Sequence, residues 1–249
     1  MSDRIPPPAR PFVQETSSTK TLHFALHEVQ SRMDIRQPDA LNLAYTRMMM
    51  GFLLFVPAPA NIGMIGLGGG SLAKFCHRHL PQSTITVIEI NPLVIALREE
   101  FRIPKDSPRF RILEADGAAF LRETTLRFDV LLVDAYDEQG LPEPLGTQRF
   151  FDDCCAALTP EGLLVVNLHA DHPHHVIHVD RISRSFDGAT LVVDDTARDN
   201  RIVFAEKGRP APSLRIGPLR RPAPLDESAW QPLQASFARI LTTLKAAER

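Results

Sequence analysis

The sequence predicts an open α/β sheet of seven mostly parallel strands with helices packed on it, and three observations carry that prediction. From Ile62 onward, short runs rich in Val, Ile and Leu alternate with helical segments, the pattern of repeated βα units. Most of these runs are almost continuously apolar, as strands covered on both faces must be. A glycine-rich stretch, Ile62-Gly-Met-Ile-Gly-Leu-Gly-Gly-Gly-Ser-Leu72, links the first run to the first helix. A tight turn with bare main chain is needed there.

Taken in order, the expected strands are Ile62–Gly66, Ile85–Ile90, Phe110–Glu114, Val130–Asp134 and Leu163–Leu168. Helices are expected over Ser71–His79, Pro92–Phe101, Ala118–Glu123 and Gln148–Leu158. A helix over His174–Phe186 then leads to a terminal hairpin, Ala189–Val193 and Arg201–Ala205, turning within Asp194–Asn200. Upstream, the alternation between Leu22 and Asp34 predicts one or two short strands. Residues 39–55 read as an apolar helix starting near Asp39 and stopped by Pro57. Four regions follow: a poorly ordered arm (1–20), rich in Pro, Ser and Thr, and a small β/helical extension (21–60). A Rossmann-like cofactor-binding domain (61–207) precedes a Pro-rich strap with a short C-terminal helix (208–249).

Composition narrows the function. With 249 residues, 44% hydrophobic and 23% charged, the chain suits one sizeable globular domain with a small appendage. A formal net charge of −2 makes no electrostatic case for nucleic acid. The longest apolar stretch, Met48 to Met64, is broken by Pro57, Pro59 and Asn61, so no membrane span is expected. Three cysteines (Cys76, Cys154, Cys155) in no metal or disulfide spacing suit a reducing compartment. With an N-terminus unlike a signal peptide, a cytoplasmic enzyme is the expectation.

In an open α/β sheet, ligands sit beyond the carboxyl ends of the strands. That rule selects Gly66–Ser71, Glu89–Asn91, Asp116–Gly117, Asp134–Asp137 and Asn167–His169. Glu89, 23 residues after Gly66, suits the hydroxyls of a ribose. Asp116 suits an adenine amino group. Without a Lys-Ser/Thr ending, the glycine loop is no Walker motif. The combination favours an adenosyl sulfonium over a nicotinamide dinucleotide. The histidines His169, His172, His174, His175 and His178 lack an organised metal-binding pattern, so no metal is expected. Trp230 reads as a packing anchor.

The run Gly66-Leu-Gly-Gly-Gly-Ser-Leu72, with Val87-Ile-Glu-Ile-Asn-Pro92, Ala115-Asp-Gly117, Val133-Asp-Ala-Tyr-Asp137 and Leu158-Thr-Pro-Glu-Gly-Leu-Leu-Val-Val-Asn-Leu168, resembles the spermidine synthase (polyamine aminopropyltransferase) family. The likeness covers about residues 22–205. It implies a class I adenosylmethionine-dependent methyltransferase fold with a small N-terminal β domain. The implied reaction is aminopropyl transfer from decarboxylated adenosylmethionine to a polyamine-type amine. Gly66, Gly68, Gly69, Gly70, Glu89, Asp116 and Gly117 would bind the donor. Asp134 and Asp137 would be catalytic, and Gln30, Tyr45 and Asp137 would hold the small-molecule amine, in a chain that is commonly a homodimer. Three departures stand out. Ser71 replaces a loop aspartate that contacts the donor amine in the family, Thr46-Arg47 replaces His-Glu, and Glu138 replaces a proline. Arg47, if it faced the pocket, would favour a carboxylate over a diamine. A methyltransferase using intact adenosylmethionine therefore stays open, as does a non-catalytic nucleoside-binding protein.

Overall fold

The structure, a computed structural model, describes residues 9–25, 29–136, 140–195, 197, 199–208 and 220–247. A three-stranded antiparallel sheet comes first: β1 (Phe12–Glu15), β2 (Thr19–His23) and β3 (Ser31–Asp34). The expectation of a poorly ordered 1–20 arm fails for β1. Its Ser/Thr-rich stretch makes a hairpin turn, in which the Thr16 hydroxyl accepts hydrogen bonds from the amides of Ser18 and Thr19. The side-chain Nδ2 of Asn91 donates to the carbonyl of Ala9 at 2.8 Å, tying the segment before β1 to the main sheet.

The helix expected from Asp39 begins later, as α1 (Ala44–Met49), and tightens into a 3-10 turn over Met50–Leu54. The Arg47 guanidinium explains the late start. It donates to the carbonyls of Leu41 and Asn42 at 2.6 and 3.1 Å, giving them a side-chain partner in place of helical amides.

The main sheet contains β4 (Asn61–Ile65), β5 (Thr84–Glu89), β6 (Phe110–Glu114), β7 (Phe128–Val133), β8 (Leu158–His169), β9 (Thr190–Asp194) and β10 (Asn200–Glu206). Their spatial order is β6-β5-β4-β7-β8-β10-β9. The first five run parallel, and β10 pairs antiparallel with both β8 and β9. Order reverses between β4 and β7, so the ligand crevice is expected there.

Strand alternation divides the core. Ile62, Met64, Ile85, Val87, Val130, Leu132, Val165 and Phe204 face one layer. It is built with α2 (Ser71–His79), α1 and the C-terminal α8 (Gln234–Ala247). Ile65, Ile88, Leu131, Val133, Leu164, Val166 and Val203 face the other, built with α4 (Gly117–Glu123), α5 (Gln148–Ala157) and α6 (His175–Ser185). The helix expected over Pro92–Phe101 is shorter, α3 (Pro92–Ala96), because i→i+3 bonds at Leu97 and Arg98 tighten its end. Cys76 and Cys154 are buried and Cys155 is half-buried; all three are free thiols. Trp230, the last residue of α7 (Glu227–Trp230), is buried edge-on against Phe237, with ring centroids 5.3 Å apart. Most of the expected strap, 209–219, lies outside the described residues. Among the described residues no helix is long and apolar enough to cross a membrane.

Candidate active site

Parallel register aligns the site. Ile65 stands level with Ile88 on one side and Val133 on the other, and Val133 is level with Val166. The next residue of each strand or loop, Gly66, Glu89, Asp134 and Asn167, therefore lies on one line across the carboxyl end of the sheet. A cavity of about 1110 Å³ opens over that line, large enough for a nucleoside and a second small molecule.

The glycine loop forms its floor. Gly66 adopts φ +97°, and a Cβ there would overlap the Asp134 carbonyl oxygen, so only glycine lets β4 and β7 stay this close. Gly66 and Gly68 line the cavity; Gly69 and Gly70, expected to contact the donor, do not. A Cβ at Gly69 would stand 2.6 Å from the Ser31 hydroxyl, and one at Gly70 would stand 2.6 Å from Ile103. Their smallness serves packing behind the loop.

Glu89 is buried with both oxygens engaged. Oε2 accepts from the Leu67 amide at 2.9 Å and Oε1 from the Asn91 amide at 2.8 Å. Each oxygen can accept a second bond, which leaves capacity for ribose hydroxyls. Burial raises its pKa and the backbone amides oppose the rise. Asp116 caps α4, its Oδ1 accepting from the Ala119 amide at 2.8 Å, and it borders the cavity beside Gly117.

Across the cavity stands Asp134, at the end of β7. Asn167 donates to its Oδ1 at 3.0 Å, and the Tyr45 hydroxyl hydrogen-bonds it from α1. Burial pushes its pKa above the usual carboxylate range, and both hydrogen bonds pull it back. Burial, with the Asp134 charge adding to it, holds the Tyr45 phenol well above its ordinary value, so Tyr45 is a donor to the carboxylate. The Tyr136 hydroxyl donates to the Asn167 carbonyl, while its ring stacks on His169 with centroids 4.1 Å apart.

Gln30 and Tyr45 line the cavity as expected residues of an amine pocket; Asp137 lies outside the described residues. Arg47 is absent from the wall, its guanidinium being spent on Leu41 and Asn42. Among the described residues no group of three or more His, Cys, Asp or Glu side chains is placed to hold a metal. Sequence reading selected Asn167 among the strand-end residues without a specific role and gave none to Ser31 or Asp195; all three border the cavity. Asn167 had a signal, since it follows its strand's apolar run as Asp134 follows β7. Ser31, whose hydroxyl lies 3.4 Å from that of Ser71, was legible only as the neighbour of Gln30, because forty residues and a separate sheet intervene.

The strand order, the glycine loop and the carboxylates at successive strand ends define a class I methyltransferase-type fold. A solved spermidine synthase in complex with the transition-state analogue AdoDATO shares that fold. Its TM-score is 0.65 at 21% identity, over 92% of this chain and 85% of that one. The family model described as Spermine/spermidine synthase domain matches residues 42–186. The polyamine aminopropyltransferase of Chromobacterium violaceum is 36% identical over 200 residues, 80% of this chain and 77% of that protein. That of Neisseria meningitidis serogroup A is 35% identical over 236 residues, covering 94% and 88%. The chain belongs to the spermine/spermidine synthase family.

Proposed function

We infer that the protein is a polyamine aminopropyltransferase, moving an aminopropyl group from decarboxylated adenosylmethionine to a small polyamine-type amine. The observation that carries this reading is Asp134. It is a carboxylate at the switch point, directed by Tyr45 and Asn167, beside a glycine loop and a ribose-type glutamate. Glu89, Asp116, Gly117, Gly66 and Gly68 bind the donor nucleoside in this reading, and Gln30 and Tyr45 border the acceptor.

The amine attacks as its free base, having released one proton to solvent. Its nitrogen forms a bond to the methylene next to sulfur as the carbon–sulfur bond breaks. The bonding pair goes to sulfur, leaving neutral methylthioadenosine. The N–H held by Asp134 passes its proton to the carboxylate as the carbon–nitrogen bond forms, and the carboxylate returns that proton to solvent, which regenerates the base. The negative carboxylate also favours the cationic reactants and their alignment. Burial raises the basicity of Asp134, which suits it to take that proton.

Incubation with adenosylmethionine or its decarboxylated form and a panel of diamines tests the reading. Methylthioadenosine with an aminopropylated amine is the expected product. Adenosylhomocysteine would instead indicate methyl transfer. Tight donor binding without turnover across the panel would indicate a nucleoside-binding protein.

A further inference from the structure

Asn167 is held more firmly than a bystander in the cavity wall needs to be. Its side chain is only 2% exposed, and its strand lies between β7 and β10. Its main-chain carbonyl accepts the Tyr136 hydroxyl, and its Nδ2 donates to Asp134 at 3.0 Å. The chemistry of that contact orients the amide, since an ionised carboxylate only accepts and so must face the NH2 group. The amide oxygen Oδ1 therefore points elsewhere. It is buried and has no hydrogen-bond partner among the described residues. A buried carbonyl with no donor is costly, and Asn167 borders the cavity, so a ligand there is the natural source of the missing N–H.

We propose that Asn167 is both a positioning and a substrate-binding residue, its Nδ2 fixing the Asp134 carboxylate and its Oδ1 accepting a hydrogen bond from the attacking amine. The proposal rests on the reading of Asp134 as the proton acceptor. A free primary amine has two N–H bonds and one lone pair. With one N–H on Asp134 and the other on Asn167 Oδ1, the lone pair is left facing away from both, toward the donor carbon. Because Oδ1 belongs to the same amide group that grips Asp134, both acceptors sit at a set spacing before the amine arrives. The arrangement selects for a primary amine, because a secondary amine lacks the second N–H and a tertiary amine lacks both.

Steady-state kinetics across pH on Asn167→Leu and Asn167→Asp decide the matter, with donor affinity measured by calorimetry as a check on folding. Asn167→Leu, of similar size but without hydrogen bonds, is expected to raise the amine KM by about tenfold or more. Loss of the Nδ2 bond removes a stabiliser of the ionised carboxylate, so the acid limb of kcat/KM moves to higher pH. Asn167→Asp adds a like charge beside Asp134 and moves the limb the same way. A merely structural role would lower stability and kcat without shifting that limb. Unchanged amine KM and an unmoved limb in Asn167→Leu overturn the proposal. If that variant does not fold, an unmoved limb in Asn167→Asp overturns it. Wild-type protein that yields no methylthioadenosine overturns the transfer reading, and this proposal with it. Wild-type turnover with an indifferent Asn167 overturns this proposal alone.

Discussion

Glu89 is buried and Asp134 half-buried, and desolvation raises the pKa of both, yet their partners suit them to different uses in the proposed reaction. Glu89 is tied by the main-chain amides of Leu67 and Asn91, after β4 and β5, which suits a fixed acceptor. Asp134 is tied by two side chains and can exchange a proton. Asp134→Asn is expected to lower kcat by at least about 10²-fold while leaving donor affinity nearly unchanged, measured by product formation and calorimetry. The same substitution should raise the melting temperature at neutral pH. Because the folded-state pKa is raised, the native chain binds this proton more readily than the unfolded chain does. Ionised Asp134 therefore costs stability, and the cost vanishes as pH falls through its folded-state value. The stabilisation by Asn should accordingly disappear in acid; an equal gain at every pH would contradict the assignment. Glu89→Ala leaves the amides of Leu67 and Asn91 without their acceptor. It should weaken donor binding by about tenfold or more by titration calorimetry.

At the scale of the element, the β4–α2 loop joins the cavity floor to the end of β7. Gly66→Ala would place an L-residue at φ +97° and drive its Cβ into the Asp134 carbonyl. The expected loss is about 1–3 kcal/mol from backbone strain alone, read from denaturant unfolding. The steric clash adds to it, with a fall in kcat as the end of β7 is displaced. The loop's position was legible in sequence because a glycine cluster after an apolar run has few other uses. Its division of labour was not. Gly68 meets the cavity and Gly69 meets Ser31 and Phe101, a distinction made by residues distant in sequence. The late start of α1 was equally hidden, since it depends on Arg47 folding back on Leu41 and Asn42.

For the molecule as a whole, the C-terminal segment bears on the site at a distance. α8 packs on α1, the helix that delivers Tyr45 to Asp134. Ile240 is fully buried against the Gly51 turn that follows α1, where a Cβ on Gly51 would collide with it. Ile240→Ala should cost about 2–5 kcal/mol, read from the unfolding midpoint. It should also raise the amine KM more than it weakens donor binding, because the space it opens lies against the turn that follows the helix carrying Tyr45. The N-terminal sheet, whose Leu22 and Met33 join the same core cluster as α1 and α8, brings Ser31 and the preceding Gln30 to the cavity.

The sequence by itself determined the sheet, the glycine loop and the strand-end carboxylates. Those features follow from local patterns: apolar runs long enough to be buried strands, and polar residues at the points where the runs stop. Only the tertiary structure decided which polar groups face one another. Asn167 grips Asp134, Tyr45 reaches it from α1, and Arg47 is drawn away from the pocket. Such choices depend on register between strands and on packing between distant segments, and a hydrogen bond has no signature in a sequence until the chain brings donor and acceptor within about 3 Å.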